Sequence, residues 1–389
     1  MVLPARARFL KGTALVLLGV LALVVWTVHD AGTKRAEQDD RCSARVMSRR
    51  GLFYRAGADP ALDRPAHVRA ASGVAWVGEL LGVVQDDANF IALVEPESGA
   101  AIDIPLPVGP NGQRLFEAAR GTKGLKLDLE ACFAYRQSPA HGSQRAVLAR
   151  ASEEATARLD EGALHFVGLG SGSKRARERF VVLDFDQSDR HVQQLRVLDA
   201  SAFYTQLRAL SEFSGSELNV EGAVLRGQTL LLFQRGNGAA LPGLPAVNAV
   251  GELDWPLFRN YLASQCAPSH VPPLGRVTQY DLGSVDGVPY TFTDAALAPN
   301  GRVLFLSSAE DSTDSVTDGT VHGTLIGELA PDGSARVAPL LDERGAALRL
   351  KAEGLVLDRK DPTRAWVVVD MDDTELASEL LELALSFPR

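Results

Sequence analysis

The sequence predicts an all-β fold: a β-propeller with five marked blades and room for a sixth, preceded by one N-terminal transmembrane or signal helix. The first observation behind this is a small pattern that recurs five times. A polar or acidic residue opens an apolar strand, a small residue follows it, and a second apolar strand ends in a polar loop. The openings are Ser72-Gly73, Glu130-Ala131, Glu221-Gly222, Asp294-Ala295 and Glu353-Gly354. The loops are Gln85-Asp86-Asp87, Gly170-Ser171-Gly172-Ser173, Arg235-Gly236-Asn237, Glu310-Asp311 and Asp370-Met371-Asp372-Asp373. A degenerate repeat of short strands is the form a propeller takes in sequence. The second observation is a series of apolar, largely β-branched runs, and the third is the turn residues that punctuate them.

Taken in order, Arg6, Arg8 and Lys11 precede an apolar run from Gly12 to Val28. A basic start before an apolar stretch reads as an export signal. No clean cleavage site follows, so residues 1–30 are expected to be an uncleaved anchor with the charged end in the cytoplasm. A cleaved signal peptide is the runner-up, and a buried helix of the folded domain ranks last because the run is apolar all round. Residues 31–69 read as a stalk leading into an edge strand near Ala44–Tyr54, and residues 70–389 as the propeller. Strands are expected at Leu80–Val84, Phe90–Val94, Phe180–Phe185, Thr229–Phe233, Val303–Ser307 and Trp366–Val369, and turns at Pro110-Asn111-Gly112, Pro299-Asn300-Gly301 and Pro331-Asp332-Gly333. Ser152–Leu159 and Trp255–Ala263 read as short inserted helices. Leu380–Leu385 is a final apolar strand suited to closing the ring against an N-terminal strand. The marked units are longer than the roughly 40–50 residues of a typical blade. Insertions account for this, or an unmarked blade between Glu130 and Glu221.

Composition bounds the partners. A net charge of −9 argues against nucleic acid and against docking of the folded domain on anionic lipid, because both need a basic excess. Membrane contact is therefore expected through the N-terminal helix only. The three cysteines, Cys42, Cys132 and Cys266, lack metal-ligand spacing. One disulfide with a spare thiol is open to them, but Cys132 sits in an apolar strand and reads as a small buried hydrophobe.

The chemistry expected of the repeat follows from strand geometry. Residues i and i+2 share a face, so Lys126, Asp128 and Glu130 align, as do Asn219 with Glu221 and Lys351 with Glu353. Leu127, Leu129, Val220 and Ala352 between them would pack between blades. If the first strand of each unit lines the channel, Glu130, Glu221, Asp294 and Glu353 form a ring of carboxylates at one mouth. Such a ring needs a counter-charge. A hard cation such as Ca²⁺ supplies one, neighbouring Lys126, Arg235 and Lys351 supply another, and a wide solvated channel is the third solution.

Other motifs carry less. Gly170-Ser171-Gly172-Ser173-Lys174-Arg175 has the make-up of a phosphate cradle but not the Walker spacing, and a turn between strands explains it equally. Glu310-Asp311-Ser312-Thr313-Asp314 with Asp318 resembles a calcium loop in composition, without EF-hand spacing. His322 lies close to it in sequence and is a candidate general base; a structural histidine is the plainer reading. No Gly-x-Ser-x-Gly or His-Glu-x-x-His occurs, which removes support for serine hydrolases and zincins.

Lys126-Leu-Asp128-Leu-Glu130, Gly170-Ser-Gly-Ser, Asn219-Val-Glu221-Gly222, Arg235-Gly-Asn237, Phe292-Thr-Asp294, Glu310-Asp311 and Lys351-Ala-Glu353-Gly354 together resemble an uncharacterised bacterial propeller family. That family looks related to esterase-like phytase propellers and, more distantly, to calcium-dependent lactonase propellers. The resemblance implies a channel metal, Ca²⁺, held by Glu130, Asn219, Glu221, Asp294 and Glu353. Ser72 departs from the pattern, standing where an acid is expected, and the dense acidic cluster of phytases is absent. The expectation is thus an exported, membrane-anchored, extracytoplasmic propeller with a divalent cation at its mouth. It would be a metal-dependent hydrolase of a phosphoester or lactone, acting on a small anionic or ester substrate. Lys126, Arg235 or Lys351 would stabilise negative charge, and Glu130 or His322 would act as general base. The alternative is a non-catalytic ligand- or protein-binding propeller whose acids are structural.

Overall fold

A computed structural model describes residues 32–137, 162–312 and 319–388. The expected N-terminal anchor, the helix expected at Ser152–Leu159, and Thr313, Asp314 and Asp318 of the acidic loop lie outside the described residues. Among the described residues no helix is long and apolar enough to cross a membrane.

The chain is all-β in its frame and is laid out as a propeller. Its four-stranded antiparallel sheets begin with the inner strands Ala71–Val77, Leu129–Gln137, Val220–Arg226, Thr291–Leu297 and Lys351–Leu357. Each inner strand lies beside the next, and the last returns to the first, so the five close a ring. Within a sheet the strands follow in chain order, as in Val220–Arg226, Thr229–Gln234, Asn248–Asp254 and Leu274–Asp281. The exception closes the ring. The sheet of Lys351–Leu357, Arg364–Asp370 and Glu379–Ser386 takes Ser43–Gly51 as its outer strand, antiparallel to Glu379–Ser386. The N-terminal and C-terminal strands expected near Ala44 and Leu380 thus pair with each other.

The edge strand expected near Ala44–Tyr54 is present as Ser43–Gly51 and Phe53–Tyr54, and the expected stalk before it carries short strands of its own. Lys34–Arg35 adds in parallel to Leu274–Asp281, Glu37–Gln38 to Ala335–Leu341, and Phe53–Tyr54 to Ala100–Pro105. The segment therefore runs along the outer edges of three sheets. Covering an edge with backbone satisfies its unpaired N–H and C=O groups.

The sequence of the strands follows from blade packing. A blade is buried on both faces, so its middle strands are continuous apolar runs rather than an alternation. In Leu230-Leu231-Leu232-Phe233, Leu230 and Leu232 join the core toward the preceding sheet, while Leu231 and Phe233 join the core toward the next. Trp366 and Val368 face one neighbour, and Val367 and Val369 the other.

The helix expected at Trp255–Ala263 spans those residues. Asp254 caps it by accepting from the Leu257 N–H at 2.9 Å, Pro256 fits its first turn, and Trp255, Phe258, Tyr261 and Leu262 are buried. A second helix, Ser201–Ala209, buries Phe203, Tyr204 and Leu207 in the same core. All three cysteines are buried and free.

At Gly73 and Gly354 the small residue after the opening has a steric cause. A Cβ on Gly73 would lie 2.4 Å from the Glu130 carbonyl oxygen, and one on Gly354 2.2 Å from that of Ser72. Neighbouring inner strands approach too closely there for a side chain. Replacing Gly354 with alanine is expected to lower stability by about 1–3 kcal/mol through overpacking, measured as a fall in the urea midpoint. An unchanged midpoint would show that the strands can separate freely.

Candidate metal centre

Each inner strand carries a β-bulge at its opening. The pairing register skips Ser72-Gly73, Glu130, Glu221, Thr293 and Glu353. A bulged residue is released from the ladder and its side chain is re-aimed. Four of these residues, Ser72, Glu130, Glu221 and Glu353, line one cavity of about 40 Å³ at the mouth of the ring. The ends of the second strands and the loops after them add Asp86, Arg177, Arg235, Asn237, Glu310 and Asp370, and Lys126, Asp128, Asn219 and Lys351 come from the starts of the inner strands and their approaches.

Of the site residues expected from sequence, Lys126, Glu130, Asn219, Glu221, Arg235, Lys351 and Glu353 are brought together here. Asp294 and His322 are not. The fourth bulge falls at Thr293, so Thr293 holds the position of the glutamates and donates to the Ala352 carbonyl at 2.7 Å. Asp294 takes the place of the small residues Gly73, Ala131, Gly222 and Gly354. Its Oδ2 accepts from the Leu355 N–H at 2.8 Å, joining two inner strands. Burial pushes its carboxyl well above the usual carboxylate range, against the opposing pull of nearby backbone N–H groups. His322 lies apart from the cavity, with Nδ1 3.3 Å from the Asp286 carboxylate.

The expected phosphate cradle is used internally. The Ser171 N–H donates to the Asp128 carbonyl at 2.9 Å and the Gly172 N–H to that of Arg177 at 3.3 Å. The Ser171 hydroxyl donates to the Asp128 carboxylate, and Arg177 donates to the Ser173 hydroxyl at 2.8 Å. The loop is a built turn that aims Arg177 into the mouth. The Ser201–Ala209 helix braces it: the Tyr204 hydroxyl donates to the Gly170 carbonyl at 2.6 Å, and Arg208 donates to the Glu178 carboxylate at 2.6 Å. Gly172 has φ +74°, and a Cβ there would lie 2.3 Å from the Tyr204 ring.

Among the described residues, seven carboxyl groups line the cavity (Asp86, Asp128, Glu130, Glu221, Glu310, Glu353 and Asp370) against four cations (Lys126, Arg177, Arg235 and Lys351), an excess of three acids. The neutralisation is uneven. Asp86, Asp128 and Glu130 each offer an oxygen, all within 4.8 Å of one another, and Glu130, Glu221 and Glu353 form a second such set. The first set is answered by two cations. Lys126 donates to Asp86 and lies 2.7 Å from Asp128, whose other oxygen is 2.8 Å from Arg177. The Lys126 charge holds Asp86 below the usual carboxylate range despite the cost of burial. In the second set Arg235 makes its short contact to Glu310, and lies 3.5 Å from Glu221 and 3.8 Å from Glu353. Lys351 is engaged by Asp372 at 2.9 Å and Asp370 at 3.3 Å.

The second set is consequently short of partners. Among the described residues, Glu221 Oε2 and both oxygens of Glu353 find no hydrogen-bond partner and are buried. Burial pushes the Glu130 and Glu353 carboxyls well above the usual range; neighbouring acids reinforce it at Glu130, and Arg235 and Lys351 oppose it at Glu353. Glu221 is pushed up to about 7 by burial, with Arg235 opposing. The loops were marked in sequence, but the parts played by Asp86, Asp128, Arg177, Glu310 and Asp370 were not. Their shared signal is position, at the end of a second strand or just ahead of an inner one.

Residues 122–374 match the model of a family of unknown function (DUF6910), and the chain belongs to that family. Residues 67–153 also match a second family of unknown function (DUF6929). No curated protein matches. Among solved structures, glutaminyl cyclase from Myxococcus xanthus is similar at 10% identity and a TM-score of 0.41, over 92% of this chain and 100% of that one. A mannose phosphorylase from Leishmania mexicana is similar at 12% identity and a TM-score of 0.38, over 87% and 88%. An α-L-arabinanase from Penicillium chrysogenum is similar at 9% identity and a TM-score of 0.38, over 86% and 85%. At these scores the similarities bear on neither substrate nor mechanism.

The carboxyls set a pH dependence. A carboxyl whose pKa is higher in the fold than in the unfolded chain binds more protons when folded, so stability falls as pH rises between the two values. For Glu221 that window runs from 4.5 to about 7. Without metal, each such group is expected to remove up to about 1.4 kcal/mol per pH unit within its window. Urea unfolding with chelator, from pH 4.5 to 7, is expected to show a shallower loss for Glu221→Gln than for wild type. Parallel profiles would contradict the assignment.

Proposed function

We propose that this protein is a five-bladed, cation-binding propeller whose channel mouth takes one divalent metal ion, calcium by preference. The observation that carries the reading is the Glu353 carboxylate, 3% exposed and with neither oxygen hydrogen-bonded. Buried polar atoms are nearly always satisfied, and the nearest counter-charge to Glu353, Arg235, stands 3.8 Å away, beyond hydrogen-bonding distance. A divalent cation among Glu130, Glu221 and Glu353 supplies the missing partner and offsets most of the acid excess. The donor set is oxygen-rich, with Asn219 and Asn237 in the same lining. Hard cations suit such a set, and calcium accepts irregular geometry more readily than magnesium does. The space of about 40 Å³ holds an ion with a water or two.

The second reading is a metal-dependent hydrolase of a phosphoester or lactone, favoured by the arrival of Lys126, Arg235 and Lys351 at the same cavity and by the motif resemblance to phytase-like propellers. A bound cation would supply Lewis-acid polarisation of the scissile group. Glu130 would hold the proton, and the three cations would bind the anion. Those cations already contact carboxylates, and the cavity is smaller than such substrates, so the binding reading leads. The proposal includes export. The run Gly12–Val28 would anchor the chain in the inner membrane with the propeller on the extracytoplasmic side.

Thermal unfolding with calcium or with chelator tests the reading. Calcium at about a hundredfold its Kd is expected to add about 2.7 kcal/mol, raising Tm. Glu353→Gln should abolish the rise and Asp294→Asn should retain it. No rise with calcium, magnesium or manganese would sink the cation site. The hydrolase reading stands only if wild type, and not Glu130→Gln, turns over a chromogenic phosphoester or lactone.

A further inference from the structure

One carboxylate set at the mouth already holds a cation of the protein's own. Asp86, Asp128 and Glu130 each offer an oxygen, all within 4.8 Å of one another. The Lys126 ammonium donates to Asp86 and lies 2.7 Å from Asp128 Oδ1. Lys126 is 5% exposed, so this charge is held inside the fold. An ammonium keeps its anionic acceptors at about 2.7–2.9 Å, and calcium keeps its oxygens at about 2.3–2.6 Å. The two cations ask for nearly the same cluster of oxygens, separated by a contraction of about 0.3 Å.

The set of Glu130, Glu221 and Glu353 has oxygens at the same spacing and shares Glu130 with the first. The Ser72 hydroxyl donates to that shared carboxylate. In the second set the Arg235 guanidinium stops 3.5 Å from Glu221 and 3.8 Å from Glu353. Both Glu353 oxygens are buried there without a hydrogen-bond partner among the described residues.

We infer that the mouth is a two-cation centre in which one cation is covalent: the Lys126 ammonium fills the first position, and one divalent ion fills the second, across the shared Glu130. The inference rests on the cation-binding reading proposed above and adds the residue that sets its stoichiometry. Two divalent ions a few ångström apart form a two-metal clamp. One ion beside an ammonium leaves a single Lewis acid next to a fixed hydrogen-bond donor. An ammonium on a side chain is also beyond the reach of a chelator, so the first half of the mouth stays assembled when the metal leaves.

Calcium bound per chain, measured by equilibrium dialysis of the full-length protein to saturation, tests the inference, with near-ultraviolet circular dichroism as the check on folding. Wild type is expected to bind one ion and Lys126→Met two. Adding Asp128→Asn to Lys126→Met is expected to return the count to one, because an acid is lost from the opened position; Asp128 has φ +56°, which asparagine tolerates. A purely structural lysine would alter stability and leave the count at one. One ion in both wild type and folded Lys126→Met would therefore overturn the inference and leave the cation-binding reading standing. No ion in wild type would overturn both, and two ions in wild type would overturn the inference. Should Lys126→Met not fold, anomalous scattering from wild-type crystals soaked in manganese decides. One peak beside Glu353, with Lys126 still on Asp86 and Asp128, is expected, and a peak between Asp86 and Asp128 would overturn the inference.

Discussion

The closeness of the five inner strands is the constraint on which the rest depends. Around Gly73 and Gly354 the neighbouring backbones leave no room for a Cβ, and the pairing register slips at that same level in every sheet. A bulge frees one side chain per strand, and with the core on both faces of each blade the channel is where a polar side chain can go. Packing at the axis therefore decides which residues meet at the mouth. Three of the released side chains are glutamates. Ring closure concentrates negative charge, and the electrostatics of the mouth follow from that geometry.

The protein resolves only part of that charge with its own side chains. Lys126 bridges Asp86 and Asp128, and Arg177 lies 2.8 Å from the other oxygen of Asp128, so that half of the mouth is paired mainly from within. Arg235 is drawn to Glu310, which leaves Glu221 and Glu353 at longer range. Internal pairing and the proposed metal would thus be complementary here. The alternatives that the sequence leaves open act on two adjoining sets of carboxylates that share Glu130. A cation in the second set would also tie three inner strands together across the channel, coupling occupancy to the stability of the ring.

Much of this was legible before any coordinates. Continuous apolar runs such as Leu230–Phe233 disclose strands buried on both faces, and Asp254 with Pro256 discloses a helix start; both depend on local chemistry. Position within the repeat was legible for Glu130, Glu221 and Glu353 because a glycine or alanine follows each. It misled at Asp294, where the acid itself occupies the small-residue position and Thr293 takes the bulge. A one-residue slip of register is invisible when both residues are polar. The Ser201–Ala209 helix was missed because only Phe203, Tyr204 and Leu207 mark its buried face. Residues 34–38 read as part of a stalk because short edge strands are held by backbone pairing, which leaves little trace in side-chain pattern.

The inner strands change character along their length, polar at the bulge and small or apolar beyond it. The acidic end holds the account's central claim, that the glutamate set requires a divalent cation. A crystal structure grown with calcium tests it most directly. The account predicts a calcium ion bound by oxygens of Glu130, Glu221 and Glu353, with Lys126 and Arg177 still on Asp86 and Asp128. Arg235 moved in between the three glutamates, with no ion beside it, would contradict it.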